Sequence, residues 1–278
     1  MKLSAPNFYP GLRVTAGTVV ANSTNALGAT RTATGGIDNL VAVDGGTLDL
    51  NGIGQTIGGL ADGGQATGVV RNDGAAACTL TVGEWGSSSS FAGTLADGAS
   101  ALALAKTGAG TLFLNGSNTY GGGTLVSGGA LGGTGSVAGT VTVAAGGALA
   151  PGASAGVFTV NGDVDFASGS ALAVEIDGVA AGTQYDQLAV NGAVDLGGAT
   201  LDVALGAAPV AGHPYVIVVN DGTDPVEGAF DGIVDGGTVS AAYDGRVYSF
   251  VVRYNDPATA GGNDVTLRLW IGTFIQIK

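Results

Sequence analysis

Carboxylate pairs are the residues in this sequence whose type and spacing could support catalysis. Asp163 and Asp165 alternate along one apolar stretch, and Glu175 and Asp177 alternate along the next. Two carboxylates that converge in a cleft, with their pKa values held apart, can cleave a glycosidic bond. Acidic residues on the outward side of a half-buried strand are the simpler explanation, so polysaccharide cleavage ranks third among our hypotheses. A looser acidic group follows in a loop-rich stretch and comprises Asp221, Asp224, Glu227, Asp231 and Asp235.

Histidine and cysteine occur once each, as His213 and Cys78. One of each cannot supply the usual ligand sets of zinc, and no calcium-loop motif stands in register. The surroundings Ala-Gly-His-Pro-Tyr predict a solvent-exposed loop for His213, and no Gly-x-Ser-x-Gly elbow offers it a nucleophile. Cys78 has no basic neighbour, so we predict a small buried hydrophobic side chain. We therefore expect no catalytic residue, no metal and no cofactor.

Composition narrows the class of protein. Glycine makes up 53 of 278 residues, against a usual share of about 7%. Hydrophobic residues reach 45% and charged residues only 11%, which is the opposite of a disordered chain. The net charge of −13 repels phosphate backbones, so nucleic-acid binding is not expected. The many Gly-x-Gly strings open no predicted helix, which a phosphate-binding loop requires.

Short alternating strands with glycine corners are the elements that must position any site. The clearest stretch, residues 104–131, is LAKTGAGTLFLNGSNTYGGGTLVSGGAL. Its apolar and polar residues alternate with a period of two, the signal of a strand, so Leu112 and Leu114 should face one side and Thr111 and Phe113 the other. Glycine-rich pairs end each strand, because such residues accept the backbone of a tight corner. Strands this short bury an apolar column only when they stack as successive rungs.

This stretch resembles the autotransporter-associated β-strand repeat. The matching segments are 106–112, 114–124 and 126–131, with the order K-x-G-x-G-T-L, L-x-G-x-N-T-Y-x-G-G-T and V-x-x-G-x-L. A second copy starts the chain, in residues 3–20, and aligns with residues 111 positions later. We expect structural roles for the repeat positions Asn7, Tyr9, Gly11, Gly110, Leu112, Leu114, Asn118, Tyr120 and Gly122.

The later part of the chain is similar to the C-terminal end of autotransporter passengers. The similarity lies in segments such as LAPG at 149–152 and LGGATL at 196–201. It implies a region that closes the end of the β-helix and assists folding outside the cell. A cap also makes physical sense, because an open β-helix end exposes unpaired backbone groups. The cap motif that we select comprises Tyr185, Asp186, Gln187, Leu188, Asn263 and Asp264.

The resemblance predicts an all-β fold, a right-handed parallel β-helix with a strand-rich C-terminal cap. We divide the chain into a β-helix repeat region (1–153), a passenger C-terminal β-helix and cap region (154–270) and an apolar tail (271–278). Only eleven residues follow Leu267, too few for a membrane β-barrel, so we expect the translocator to be lacking. No signal peptide and no transmembrane segment is expected either. The candidates for self-association are Trp270, Phe274, Ile275 and Ile277.

Three functional hypotheses follow, and they belong to different classes of protein. The first is a non-enzymatic passenger, on the outer-membrane surface or extracellular, that acts as a stalk or adhesion module toward a host-surface or matrix ligand. The second is an extracellular fibre subunit that self-associates through exposed β-helix ends or its C-terminal strand. The third is the polysaccharide lyase or hydrolase.

Overall fold

A computed structural model describes residues 1–4, 11–28, 39–221, 224–257 and 262–270. These residues form strands, turns and bends and contain no helix. The strands of the first half are β1 (Lys2–Leu3), β2 (Gly11–Val14), β3 (Thr18–Ala21), β4 (Leu40–Val43), β5 (Thr47–Asp49), β6 (Gln55–Ile57), β7 (Gly59–Ala61), β8 (Val69–Asn72), β9 (Cys78–Val82), β10 (Ser89–Phe91), β11 (Thr94–Asp97), β12 (Leu102–Lys106), β13 (Thr111–Leu114) and β14 (Ser117–Asn118).

The strands of the second half follow the same rhythm and then lengthen. They are β15 (Thr124–Val126), β16 (Gly129–Gly133), β17 (Ser136–Val137), β18 (Val141–Val143), β19 (Gly147–Pro151), β20 (Val157–Val160), β21 (Val164–Phe166), β22 (Ala171–Ile176), β23 (Gln187–Val190), β24 (Val194–Asp195), β25 (Thr200–Leu205), β26 (Pro214–Asn220), β27 (Thr238–Tyr243), β28 (Arg246–Arg253) and β29 (Val265–Leu269).

Three faces are built from these strands, and the chain visits them in turn. The first face carries β1-β3-β5-β8-β11 and continues with β14-β17-β20-β23-β26, joined by a hydrogen bond from the Thr119 N–H to the Leu95 carbonyl. The second face carries β6, β9, β12, β15, β18, β21 and β24. The third face carries β2-β4-β7 and then β10-β13-β16-β19-β22-β25. All pairs within these three faces are parallel, so the all-β parallel β-helix predicted from the sequence is confirmed.

The interior consists of columns in which one residue of each rung packs on the next. On the third face a leucine column runs in register through Leu112, Leu131, Leu149, Leu172 and Leu201. Four of these side chains are fully buried and the fifth is 5% exposed. Each buried leucine contributes about 1.5–3 kcal/mol. With ten strands on the first face about 4.8 Å apart, the described stack is roughly 45 Å long.

Glycine at the corners lets adjacent rungs approach closely. A Cβ on Gly68 would lie 1.7 Å from the Val43 carbonyl oxygen of the preceding rung. Gly129 combines a φ of 60° with a virtual Cβ 2.2 Å from the Gly110 carbonyl oxygen. No side chain fits either position without moving backbone, so the high glycine content follows from stacking corners upon corners.

The C-terminal end changes from parallel to antiparallel pairing. β29 inserts between β26 and β28, antiparallel to both, and β27 pairs antiparallel with β28. The β27–β28 hairpin turns at Asp244 and Gly245, whose φ angles of 48° and 71° suit a tight hairpin turn. Ten parallel strands of the first face thus end in a small antiparallel sheet.

Parallel stacking continues past residue 153, to β26, and the antiparallel sheet occupies the end of the region 154–270 that we assigned to the β-helix and cap. The last two residues of the four-serine run 87–90, Ser89 and Ser90, belong to β10. Ser89 fits there because its Oγ accepts a hydrogen bond from the Leu60 N–H of the rung below.

Candidate functional site

The repeat positions lie where one rung contacts the next. Leu112, Leu114 and Tyr120 are fully buried, and Asn118 is 1% exposed. The Tyr120 hydroxyl hydrogen-bonds Thr124 Oγ1 at 2.6 Å, and burial raises its pKa. Three more positions are close-approach glycines, since a Cβ would meet backbone within about 3 Å at Gly11, Gly110 and Gly122. Asn7 and Tyr9 lie outside the described residues.

Asn118 joins three rungs through one amide. Its Oδ1 accepts from the Leu95 N–H at 2.9 Å, and its Nδ2 donates to the Gly116 carbonyl at 3.0 Å and the Ser136 carbonyl at 2.9 Å. These are backbone groups at the point where the first face changes from one hydrogen-bonded sheet to the next. The side chain therefore adds to the backbone hydrogen bonds at this junction, where the Gly116 carbonyl also accepts from the Ser136 N–H.

Lys106 has a role that the sequence analysis missed. It occupies an interior column otherwise made of Ile57, Val82, Val126, Val143 and Phe166. The residue is 1% exposed, and burial lowers its pKa to about 8. Its ammonium donates to three carbonyl oxygens at a corner, those of Thr107 at 2.6 Å, Gly108 at 3.0 Å and Gly128 at 3.0 Å.

The cap motif at residues 185–188 links three successive rungs. Tyr185 packs edge-on against Tyr215 of the following rung, with ring centroids 5.4 Å apart. Gln187 donates from Nε2 to the Val216 carbonyl at 2.8 Å, and Leu188 lies in register with Val218 in the core. Three of these four residues, Tyr185, Gln187 and Leu188, thus contact the rung that precedes the antiparallel cap.

Asp186 connects the motif to the rung behind it. Its Oδ1 accepts from the Gly156 N–H and its Oδ2 from the Glu175 N–H, both at 2.8 Å. Burial raises its pKa to about 7, reinforced by the charges of Glu175 and Asp177, although the two N–H donors act in the opposite direction. A carboxyl group with this pKa exchanges a proton near neutral pH.

Asn263 and Asp264 fix the inserted strand β29 to the end of β26. Asp264 Oδ1 accepts from the Asn220 N–H at 2.9 Å, and Asn263 Nδ2 donates to the Asp224 carbonyl at 3.2 Å. Both residues are at most 5% exposed. The two halves of the cap motif therefore hold opposite ends of the same first-face strand, β26.

His213 contradicts the expectation of an exposed loop histidine. It is half-buried, and its ring packs edge-on against Tyr215 at 4.8 Å and Tyr185 at 6.2 Å between centroids. Its Nε2 is buried, and no described residue forms a hydrogen bond with it. Local sequence could not reveal this, because the tyrosine that completes the cluster comes from the preceding rung.

A shallow groove brings together some of the acidic residues. It has a volume of about 470 Å³ and lies on the outside of the third face, with Phe113 and Pro151 at one side. Glu175, Asp186 and Asp202 line it. Glu175 and Asp202 stand on adjacent strands, since Ala173 is in register with Asp202 and Glu175 with Ala204. The groove thus contains Glu175, which belongs to a predicted carboxylate pair, together with Asp186 and Asp202, which belong to none.

The other predicted acidic pairs do not meet in this groove. Asp165 lies on the outside of the second face, in register with Asp195, and its pKa is raised by burial and then by Asp163 and Asp195. In the loop-rich group, the Asp235 carboxylate forms an ion pair with Arg253 at 3.0 Å. The backbone of Glu227 forms an isolated parallel β-bridge with the backbone of Asp195. No group of three or more His, Cys, Asp or Glu able to hold a metal ion occurs among the described residues.

The tail candidates are only partly described. Trp270 is 60% exposed, and its N–H donates to the Ser249 carbonyl at 2.8 Å, which extends β29 along β28. Phe274, Ile275 and Ile277 lie outside the described residues. The described part of the chain includes no helix of the length and apolar character that a membrane span needs.

These contacts define the class of protein as an all-β solenoid whose rungs are joined by buried side chains. Residues 104–132 match the model of the passenger-associated-transport-repeat. The match runs from β12 to β16, so it covers one full circuit of the three faces and continues onto two faces of the next. No curated protein matches the chain significantly. The chain carries a repeat found in autotransporter passenger domains, which implies a passenger exposed outside the cell or on its surface.

Proposed function

We propose that this chain is a non-enzymatic stalk or adhesion module of an autotransporter passenger, displayed on the cell surface or secreted. The observation that supports it is the matched repeat itself, which contributes five successive strands to the parallel stack. Lys106, Asn118 and Tyr120 of this repeat face inward, and Lys106 and Asn118 donate hydrogen bonds to the adjacent rung. The outward faces are thereby free to vary, as an extended binding surface requires.

Adhesion is tested with beads that carry the purified full chain. They should attach to cultured epithelial cells, or to surfaces coated with matrix proteins, well above beads that carry serum albumin, another acidic protein. A second control uses the same chain unfolded by heat before coating, because the proposal requires the stacked form. Equal attachment of folded-chain and albumin beads would contradict the adhesion role.

Self-assembly into fibres remains the second candidate, because apolar side chains stand exposed on the cap. Val247 is 73% exposed and Trp270 is 60% exposed, and both lie on the solvent-facing side of the antiparallel sheet. Removing residues 270–278 should then abolish polymers seen by light scattering at high protein concentration. Assembly that persists after this removal would exclude the C-terminal strand as the joint.

Polysaccharide cleavage is the third candidate, supported by the groove that holds Glu175, Asp186 and Asp202. A raised pKa at Asp186 beside other carboxylates is the arrangement that separates acid from base. Turnover of any polysaccharide that is lost in Asp202→Asn, with folding intact, would replace the adhesion proposal. Turnover that is unchanged in this variant would exclude the groove as its source.

A further inference from the structure

A second groove lies on the outside of the third face near the start of the stack. It has a volume of about 450 Å³, within the range of small-ligand sites. Its lining includes Leu12, Arg13, Leu40, Ala42, Asp44 and Ala61, all from β2, β4, β7 or the residue after β4. We refer to it as the Asp44 groove. Most of this lining is apolar, and its polar groups are concentrated at one end.

Asp44 is the unusual member of this lining. Its side chain is only 3% exposed, and its Oδ2 accepts from Arg13 Nε. Its Oδ1 is buried and receives no hydrogen bond from the residues that the structure describes. A buried carboxylate oxygen without a donor is costly, and native structures seldom contain one. The orphan oxygen is thus an acceptor for which the described residues supply no donor.

The position of Asp44 is fixed by its backbone. Its N–H donates to the Val14 carbonyl at 2.8 Å, and its carbonyl accepts from Thr67 Oγ1 at 3.4 Å. Gly63 stands against the carboxylate, since a Cβ there would lie 2.9 Å from Oδ1. The acceptor is thus held in place before any ligand arrives, which reduces the ordering cost of binding.

Arg13 supplies the complementary half of the polar end. Its side chain is 67% exposed, so the guanidinium nitrogens other than Nε can donate to a ligand. The paired charges of Arg13 and Asp44 cancel, which disfavours a strongly charged ligand. The polar end of the groove fits a neutral group that offers a donor and an acceptor on adjacent atoms. The apolar remainder of the lining fits an apolar surface on the same ligand.

From this geometry we infer that the Asp44 groove binds a neutral saccharide through a vicinal diol. One hydroxyl donates to Asp44 Oδ1 and its neighbour accepts from the Arg13 guanidinium, while the apolar side of the sugar ring lies on Leu40 and Ala42. The inference deepens the proposed function, on which it rests for its extracellular ligand, by naming the ligand class and the face that binds it.

The test uses the full chain and a panel of neutral oligosaccharides of glucose, galactose, mannose and N-acetylglucosamine. Saturation-transfer NMR identifies binders, and titration calorimetry measures their affinity. For a binder, Asp44→Asn should lower the affinity about tenfold or more, because the charged acceptor is replaced by a neutral amide that also loses its ion pair with Arg13. Ala42→Trp should abolish binding by filling the groove. The matched control is Ala105→Trp, at an outward position on the second face.

Three results would overturn the inference. The first is no binding of any neutral saccharide at millimolar concentration by the folded wild type. The second is binding that Ala42→Trp leaves unchanged while circular dichroism shows that variant folded. The third is a preference for uronic-acid or sialic-acid oligosaccharides that depends on Arg13 and not on Asp44, which would make the groove an anion site.

Bead attachment separates this inference from the proposed function. Wild-type and Ala42→Trp beads that attach equally to cells, with saccharide binding lost in the variant, would leave adhesion standing and exclude the Asp44 groove as its basis. Saccharide binding without any bead attachment would support the groove and contradict the adhesion module.

Discussion

Replacing Lys106 by methionine tests the role assigned to the buried ammonium. Methionine keeps most of the side-chain length inside the column of apolar residues but removes all three donated hydrogen bonds. The carbonyl oxygens of Thr107, Gly108 and Gly128 then lose their donor at a buried corner. Lys2→Met is the control, because Lys2 is exposed on β1.

Two opposing contributions determine how much Lys106→Met changes the free energy of unfolding. Burial lowers the Lys106 pKa from 10.5 to about 8, which corresponds to a cost of about 3 kcal/mol for keeping the charge inside. Three hydrogen bonds from a charged donor contribute about 1.5–3 kcal/mol each, and together they exceed that cost. Lys106→Met should therefore lower the free energy of unfolding at pH 7 by about 2–4 kcal/mol.

The pH dependence gives a sharper check. Since the folded pKa lies below the unfolded one, the unfolded chain binds more protons between pH 8 and 10.5, and the wild type gains stability as the pH rises through that window. Relative to Lys106→Met, this gain should reach about 2 kcal/mol between pH 7 and 9.5. Below pH 8 the difference between the two proteins should be constant.

Urea denaturation followed by circular dichroism at pH 7, 8, 9 and 9.5 measures both effects. The difference between wild type and variant removes contributions from other groups, including tyrosines that titrate near pH 10. Lys2→Met should match the wild type within about 0.5 kcal/mol at every pH. A Lys106→Met protein that is as stable as the wild type at pH 7, or a difference that does not grow with pH, would refute the role of the ammonium.

Further predictions concern the leucine column, the cap and the thiol. Leu149→Ala should cost about 2–5 kcal/mol in urea denaturation, and Leu125→Ala, at a side chain 44% exposed, less than about 0.5; equal effects would argue against the column. Because the Asp186 pKa is raised from 3.8 to about 7, the folded state binds more protons, so the wild type should lose about 4 kcal/mol from pH 4 to 8 relative to Asp186→Asn. Parallel pH profiles of unfolding free energy would contradict that. Burial, then the charge of Asp49, raises the pKa of Cys78, so its thiol should react with a disulfide reagent only as the chain opens; rapid labelling of the folded chain would contradict this.

Much of the strand pattern could be predicted because side-chain alternation and glycine corners are local signals. Leu112 and Leu114 face inward and Thr111 and Phe113 outward, as the period of two predicted. Stacking could be inferred because strands this short have no other way to bury an apolar side.

What local sequence could not predict depends on the register between rungs. Lys106 is the first residue of the repeat motif, but only its stacking with Val82 and Val126 shows that its side chain points into the core. Arg13 and Asp44 are 31 residues apart and meet because β2 and β4 are in register. A positive residue in an otherwise alternating apolar strand is the one signal that could have identified Lys106 beforehand.

The β-helix, its interior columns and both grooves depend on the parallel stacking of rungs, and one cross-linking measurement tests that stacking directly. In a Cys78→Ala background, Ala105→Cys and Leu125→Cys place two outward thiols in register on adjacent second-face strands. Neighbouring strands are about 4.8 Å apart, within reach of a disulfide, whereas Ala105→Cys with Thr142→Cys spans two rungs and exceeds it. Mild oxidation of the folded chain should join the first pair and leave the second pair free, as read by mass spectrometry. A second pair that joins as readily as the first, or a first pair that does not join at all, would contradict the stacked β-helix.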